Sequence, residues 1–480
     1  MKRIKKYYRI QFQLTSPLAV GSGENHLTDR DIVRDSRGIP YIPGTALAGV
    51  YRSLFPKEIA EQYFGPELTE ERINQSSKAG KNLLTDSDVV TYDACLEDPE
   101  GCVEKLVTKR DMVALDAYKT AIPGAKSDFQ VLEPGLTFVT YIEQNMDDLK
   151  QSRIVDQIAR AWMDGRIMIG AKTGRGYGRT RGIRAEAAIF DLSKRDPKDG
   201  ASTVSGEKQA DQVKTLGSWL AFDMYCPEDV NWSPAEDIKT GMLCAGEQAG
   251  MCSISLELRQ QGGIAIRRYT TEVGAADYIQ LTTQRIAGEE GEDEKEGTPV
   301  IPGTSWAGAF RAQMGRLDPD FCKGQPIAEK FFGKEKNQDG DSRKSGISFS
   351  ESRITGGKWV LYTRNAIDRF TGAAVTGALY TEKTYYNGET TLEIACDFGR
   401  NGEAASGIHS DEREKFAQVM AAAILDLNSG YLAVGGLTAV GRGLFAVKKA
   451  VVDGKEIVFA GRPDGDIYQE LVKAIAGKGE

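Results

Sequence analysis

The feature that most constrains this chain is that it repeats itself. Pro40-Tyr41-Ile42-Pro43-Gly44-Thr45-Ala46-Leu47-Ala48-Gly49 recurs as Pro299-Val300-Ile301-Pro302-Gly303-Thr304-Ser305-Trp306-Ala307-Gly308, a shift of 259 residues from Pro43 to Pro302. The correspondence reaches Arg52 and Arg311, each three residues past the second glycine. Gln62 to Gly65 then matches Lys330 to Gly333 at a shift of 268, and Leu83 to Asp88 aligns with Ile347 to Ser352 at 264. Gly170 to Gly178 matches Gly435 to Gly443 at 265. Four blocks in one order at nearly constant spacing point to a duplicated domain. The 480 residues suffice for two domains of middling size and a linker.

The reading is a first domain over 1–192, a polar linker over 193–217 and a second domain over 218–480. Residues 218–251 are left open between finishing one domain and starting the next. The linker, SKRDPKDGASTVSGEKQADQVKT from Ser193, is almost without apolar residues. Each copy opens on alternating strand patterns, Tyr8 to Thr15 and Ser253 to Leu258. A short amphipathic helix follows each Pro-Gly, with Thr45 and Thr304 expected as N-caps. Leu47, Val50, Tyr51 and Leu54 share one face of the first helix; Trp306, Phe310 and Met314 share one face of the other. Late in each copy a strand (Gly135 to Glu143, Glu389 to Cys396) precedes a helix (Ile154 to Met163, Glu414 to Asn428). Strand–helix–strand twice over is the split βαβ of ferredoxin-like folds, so the class is α+β. The RNA recognition motif shares it, and its open sheet is a common surface for single-stranded RNA.

Charge and cysteine usage narrow the function. A net charge of −8 argues against general nucleic-acid coating. Yet between Asp164 and Arg184 one acid stands against Arg166, Lys172, Arg175, Arg179, Arg181 and Arg184. A local cationic patch on an acidic chain suits selective binding of one polyanion. Seven cysteines without a CxxC pair suggest a reduced, cytoplasmic protein with no structural zinc, and neither a signal peptide nor a membrane span is expected. Gly165 to Thr173 comes near a P-loop, but Ala171 adds a residue between the second glycine and Lys172, which displaces the lysine from the phosphates.

The blocks resemble the RAMP superfamily, in particular the repeated backbone subunits of type III CRISPR effectors. Three features carry the resemblance. Asp29-Arg30-Asp31-Ile32-Val33-Arg34-Asp35 leading into Ile39 to Thr45 looks like the family's aspartate loop. Gly170 to Gly178 and Gly435 to Gly443 look like its late glycine-rich loop. Arg110 to Gly135 and Arg364 to Gly388 resemble its inserted thumb hairpin, expected over Met112 to Val131 and Ala366 to Lys383. The resemblance therefore implies two tandem ferredoxin-like (RRM-like) RAMP domains, each with a thumb. Its glycines would bring backbone amides to phosphates, and Lys172, Arg175 and Arg179 would add charge-assisted contacts. Such contacts carry no sequence information, as a holder of any guide requires.

What the resemblance implies about function is a guide-RNA-binding subunit that also cuts guide-paired target RNA. RNA contacts fall on Arg30, Arg34, Thr45, Arg52, Lys172, Arg175, Arg179, Thr304, Arg311 and Arg442. The implied catalytic residues are Asp29 and, in the second copy, Asp277, with Asp31 and Asp35 as substitutes for Asp29 and His26 as a bystander. A divalent ion, Mg or Mn, is the implied cofactor, with no ligand set assigned. Implied partners are the CRISPR guide RNA, the target RNA and other RAMP subunits. An acidic insertion from Glu289 to Glu296 departs from the family's pattern before the second site. Three alternatives stand beside this reading: a non-catalytic structural RAMP subunit, a guide-processing endonuclease, and an unrelated carbohydrate or nucleotide enzyme.

Overall fold

A computed structural model describes residues 2–21, 28–66, 86–98, 107–115, 121–149, 153–195, 213–235, 251–269, 275–283, 297–321, 326–333, 345–398 and 410–477. His26 and the acidic stretch 289–296 lie outside these, as do most of the linker and Leu83 to Thr85. The chain divides into two compact units. One comprises Met1–Arg110, Asp128–Ala171 and Gly178–Cys244; the other comprises Asp111–Ser127, Lys172–Tyr177 and Ala245–Glu480.

In the first unit the strand Ile4–Leu14 lies between Thr137–Met146 and Thr180–Asp191, antiparallel to both. Val89–Thr91 and Ala94–Leu96 pair on the far side of Thr137–Met146. Helices Gly44–Ser53 and Lys57–Phe64 follow the first strand, and Ile154–Met163 joins the third to the fourth. Fourth–first–third–second, with helices after the first and third strands, is the ferredoxin-like order. Strand side chains alternate between faces, so Tyr8, Ile10, Phe12 and Leu14 enter a core with Leu47, Tyr51, Ile158 and Trp162. Each large side chain fully buried there contributes about 1.5–3 kcal/mol. Trp162 and Tyr51 keep their polar atoms satisfied: the indole N–H donates to the Tyr51 hydroxyl at 3.1 Å.

The second unit repeats the plan. Met251–Gln261 lies between Glu389–Asp397 and Leu444–Val452, and Ile347–Phe349 pairs outside Glu389–Asp397. Helices Gly303–Phe321, Ile327–Phe332 and Ser410–Ser429 pack Trp306, Phe310, Met314, Phe416 and Met420 on Ile254, Leu256 and Leu258. Both opening strands even carry a register shift at the same place, between Gln11 and Phe12 and between Glu257 and Leu258. A helix at Asp464–Ala476 is added at the end.

Three expectations change. Thr45 and Thr304 are not N-caps: Gly44–Ser53 starts at Pro43 without a side-chain cap, and Thr304 lies inside Gly303–Phe321. The chain turns helical as soon as it leaves the proline, and the first amide, of Gly44, is taken by the Asp93 carboxylate at 2.6 Å. The third repeat block was also placed out of register. Ser87 and Ser345 make the same bonds, to the carbonyls of Tyr63 and Val89 and of Phe331 and Ile347, so Val89 corresponds to Ile347 at a shift of 258. A weakly patterned edge strand gave the sequence comparison nothing to lock on.

The third change concerns the sheet as an RNA platform. Tyr7, one residue from the core-facing Tyr8, points to the face opposite the helices, where Phe190, Trp219, Phe222 and Trp232 cover it. The Trp219 indole donates to the Tyr7 hydroxyl at 3.1 Å, and Ser233–Pro234 adds an edge strand beside Thr180–Asp191. Buried Arg9 and Glu186 pair at 2.8 Å on that face. Of residues 218–251, which the sequence left open, the described part 218–235 lies with the first unit. On the second sheet the corresponding positions, Ser253, Ser255, Glu257, Arg259 and Gln261, carry no ring on which a base could stack.

Candidate nucleic-acid interface

In each copy of the repeat two strands form a hairpin that follows the second strand of the sheet and precedes the third in the chain: Val107–Leu115 with Ala121–Leu132, and Lys358–Ile367 with Ala374–Tyr386. Their outer parts hold apolar side chains in solvent, Val113 and Ile122 on one and Leu361, Phe370 and Leu379 on the other. Phe370 is 93% exposed at its turn. Apolar surface of this kind, presented on a strand pair, marks a contact surface.

The hairpin bases are fixed by buried charge. Glu133, fully buried, accepts from Arg110 at 2.8 Å and from the Thr108 hydroxyl. In the second copy Glu382 takes the Arg442 guanidinium at 3.2 Å and Arg364 at 3.5 Å. Burying a carboxylate is costly unless it is paired and hydrogen-bonded, so these pairs hold the hairpin roots in one position.

The aspartate loops dock on the hairpins' return strands. Asp29 is exposed; its N–H donates to Asp128 Oδ1 and its Oδ2 accepts from the Asp128 N–H, both at 3.0 Å. Asp277 does the same with Thr381: its N–H donates to the threonine hydroxyl oxygen at 3.0 Å. Its Oδ2 in turn accepts from the Thr381 N–H at 2.6 Å and the hydroxyl at 3.0 Å. The next residues run parallel to the hairpin, Arg30 beside Phe129 and Tyr278 beside Glu382. Backbone and hydroxyl donors from Thr381 hold the Asp277 carboxyl below the usual aspartate range. The substitutes are otherwise engaged. Asp31 is buried against the Thr28 hydroxyl, and Asp35 closes a turn by accepting from the Arg37 and Ile39 amides, at 2.9 Å each.

The glycine-rich loops have one backbone shape. Lys172 and Leu437 are both left-handed (φ 62° and 56°), short 3-10 turns follow at Thr173–Arg175 and Thr438–Val440, and Gly176 and Gly441 are left-handed again (φ 83° and 80°). At Gly178 and Gly443 an added Cβ would sit 1.8 and 1.9 Å from the carbonyl oxygens of Ile169 and Val434. The glycines thus serve close packing. The amides of Ala171, Arg175, Gly176, Tyr177 and Gly178 all donate to carbonyls of the chain itself, so these five are spent on holding the turn.

The remaining predicted residues divide by orientation. Arg30, Arg175 and Arg311 are exposed; Arg179 is half-buried. Thr45 is exposed on its helix and Thr304 half-buried. Arg34 donates to the Gly38 carbonyl at 2.9 Å, and Arg52 to the Gly65 carbonyl at 2.6 Å. Lys172 is half-buried with its ammonium 3.1 Å from the Met112 sulfur. Arg442 is turned inwards, 3% exposed, bonded to Glu382 and Thr384 and set over Tyr362 and Tyr386. Asp128 and Thr381, the residues that grip the loop aspartates, were missed, because nothing in either hairpin's local pattern marks one position as a partner.

The sequence profile of the RAMP superfamily matches residues 11–181 and 287–446, well over half of the chain. The chain belongs to the RAMP superfamily. Two separate matched regions agree with two RAMP domains in tandem, each with its hairpin. No curated protein sequence matches the chain. Solved structures that match include a chain from a cryo-EM structure of the type III-B Cmr-beta complex bound to cognate target RNA. That match has 17% identity, covers 38% of this chain and 60% of the other, and has a TM-score of 0.29. Among the described residues no group of three His, Cys, Asp or Glu side chains converges as a metal cage, and no helix is long and apolar enough to cross a membrane.

Proposed function

We propose that this RAMP protein is a guide-RNA-binding backbone subunit of a type III CRISPR effector, and that it cuts guide-paired target RNA at Asp29 and, in its second half, at Asp277. The observation that carries the reading is that the same three parts occur in both copies of the repeat. Each copy has an exposed loop aspartate latched to the return strand of its hairpin, and each has a glycine turn of the same left-handed shape. An apolar hairpin suits wedging between bases, and exposed arginines such as Arg30 and Arg175 suit phosphates. Guide RNA, target RNA and further RAMP subunits are the partners this reading requires.

The proposed cut is attack of a ribose 2′-hydroxyl on the adjacent phosphodiester, with the hairpin setting in-line geometry. One carboxylate oxygen of each aspartate, Oδ2, is tied to the hairpin, and Oδ1 receives no bond from another described residue. Such a single open oxygen fits a hydrated Mg or Mn ion that completes its shell with water and phosphate, rather than a protein cage. When bound, that ion supplies charge neutralisation at the phosphate. A carboxyl held below its usual range is a poor proton acceptor near neutral pH, which favours an orienting or ion-holding role for Asp277 over a general base.

The test is to purify the assembled complex, measure its absorbance at 260 nm for retained RNA, and map cuts on a matched target for D29A and D277A, with and without chelator. Loss of one cut per substitution with RNA retained supports the reading. Unchanged cutting in both variants leaves a structural RAMP subunit, cutting that survives chelation points to a guide-processing endonuclease, and absence of RNA removes the RNA assignment.

A further inference from the structure

We infer that Asp128 and Thr381 are positioning residues: each clamps the aspartate of its loop to the thumb root by a reciprocal pair of hydrogen bonds, so that hairpin and carboxylate move as one body. The inference rests on the catalytic reading of Asp29 and Asp277. Three observations carry it.

The two clamps are equivalent though their residues differ. Asp128 and Thr381 occupy the same place on the return strand, each one residue before the point where the loop runs parallel to it. Each gives its N–H to the loop carboxylate and receives the loop N–H on its own side-chain oxygen. A carboxylate and a hydroxyl share only the ability to accept that bond, so the geometry is kept while the chemistry changes.

The clamps also select one oxygen. Oδ2 is occupied in both copies, which orients the carboxyl and leaves Oδ1 directed elsewhere. An exposed aspartate would otherwise sample several rotamers, and misplacement of a reacting group by about 1 Å can cost on the order of a hundredfold in rate.

Finally, each clamp residue is supported across the hairpin. Asp128 pairs with Lys109 on the outgoing strand, and Thr381 sits opposite Thr363. The first clamp is therefore charge-supported and the second is neutral. The elements that pair around Asp277 carry Arg364, Glu382 and Lys383 on the hairpin and Arg267 and Arg268 on the strand that pairs with Tyr278 to Gln280.

The experiment uses the assembled, guide-loaded complex and times each mapped cut for D128A, D128N, T381V and T381S. T381V is expected to slow the Asp277 cut about tenfold or more while target affinity stays within about twofold, and T381S, which keeps the hydroxyl, to restore it. D128A and D128N are expected to behave likewise at the Asp29 cut, since the amide oxygen still accepts. Wild-type cutting by D128A and T381V, while D29A and D277A are inactive, overturns the inference and leaves the catalytic reading standing. Loss of target binding in step with loss of cutting also overturns it. Normal cutting by D29A and D277A removes both.

Discussion

At the scale of single residues, the arginines show how little residue type says about role. Arg175 and Arg442 both belong to glycine-rich loops, yet one is exposed and the other lies in a buried ion pair with Glu382. Removing one partner of a buried pair leaves an uncompensated charge, so R442Q should lower stability by about 3–5 kcal/mol. R175A should leave stability within about 0.5 kcal/mol, as at other exposed sites, and weaken RNA retention. Denaturant melts and RNA retention measured on both variants separate the two; equal loss of stability would refute the distinction. The aspartates were legible as an acidic loop before a helix. The resemblance singled out Asp29 and left Asp31 and Asp35 as substitutes; what it did not show is that Asp31 is buried against Thr28 and that Asp35 closes a turn with Arg37 and Ile39.

Among elements, the segment 213–235 is the one whose role the sequence concealed. It reads as polar chain running into scattered aromatics. In the fold those aromatics cap a sheet face that would otherwise leave Tyr7 and Phe190 in water. Trp232 meets Phe222 edge to face, with ring centroids 5.1 Å apart, and is 9% exposed, so W232A should cost about 3–5 kcal/mol. RNA retained per folded molecule should be unchanged, because that face is covered from within. A fall in RNA binding without a fall in stability would show that the face contacts RNA after all. The paired helices and strands, by contrast, were legible because their apolar periods are strong: Ile154–Met163 has the bounds its pattern predicts.

For the molecule as a whole, RNA binding must operate against a net charge of −8. Affinity should then come from few, local cations and fall with salt in proportion to the number that meet phosphates. Each phosphate-contacting cation removed should flatten the slope of log affinity against log salt by about 0.7 for a single strand. R30A and R175A, titrated with guide RNA over a salt series, check this; slopes identical to wild type would mean that neither side chain meets a phosphate.

The duplication, the α+β class and the helices after each Pro-Gly were determined by sequence alone, because each is written in short runs of consecutive residues by their identity or apolar period. Tertiary structure alone decided the pairings Asp29–Asp128, Asp277–Thr381, Arg442–Glu382 and Trp219–Tyr7, which join residues 60 to 212 apart in the chain. Any acid, hydroxyl or ring can make such a bond. Which one does so depends on where packing of the two sheets and their helices brings it, and no local pattern records that.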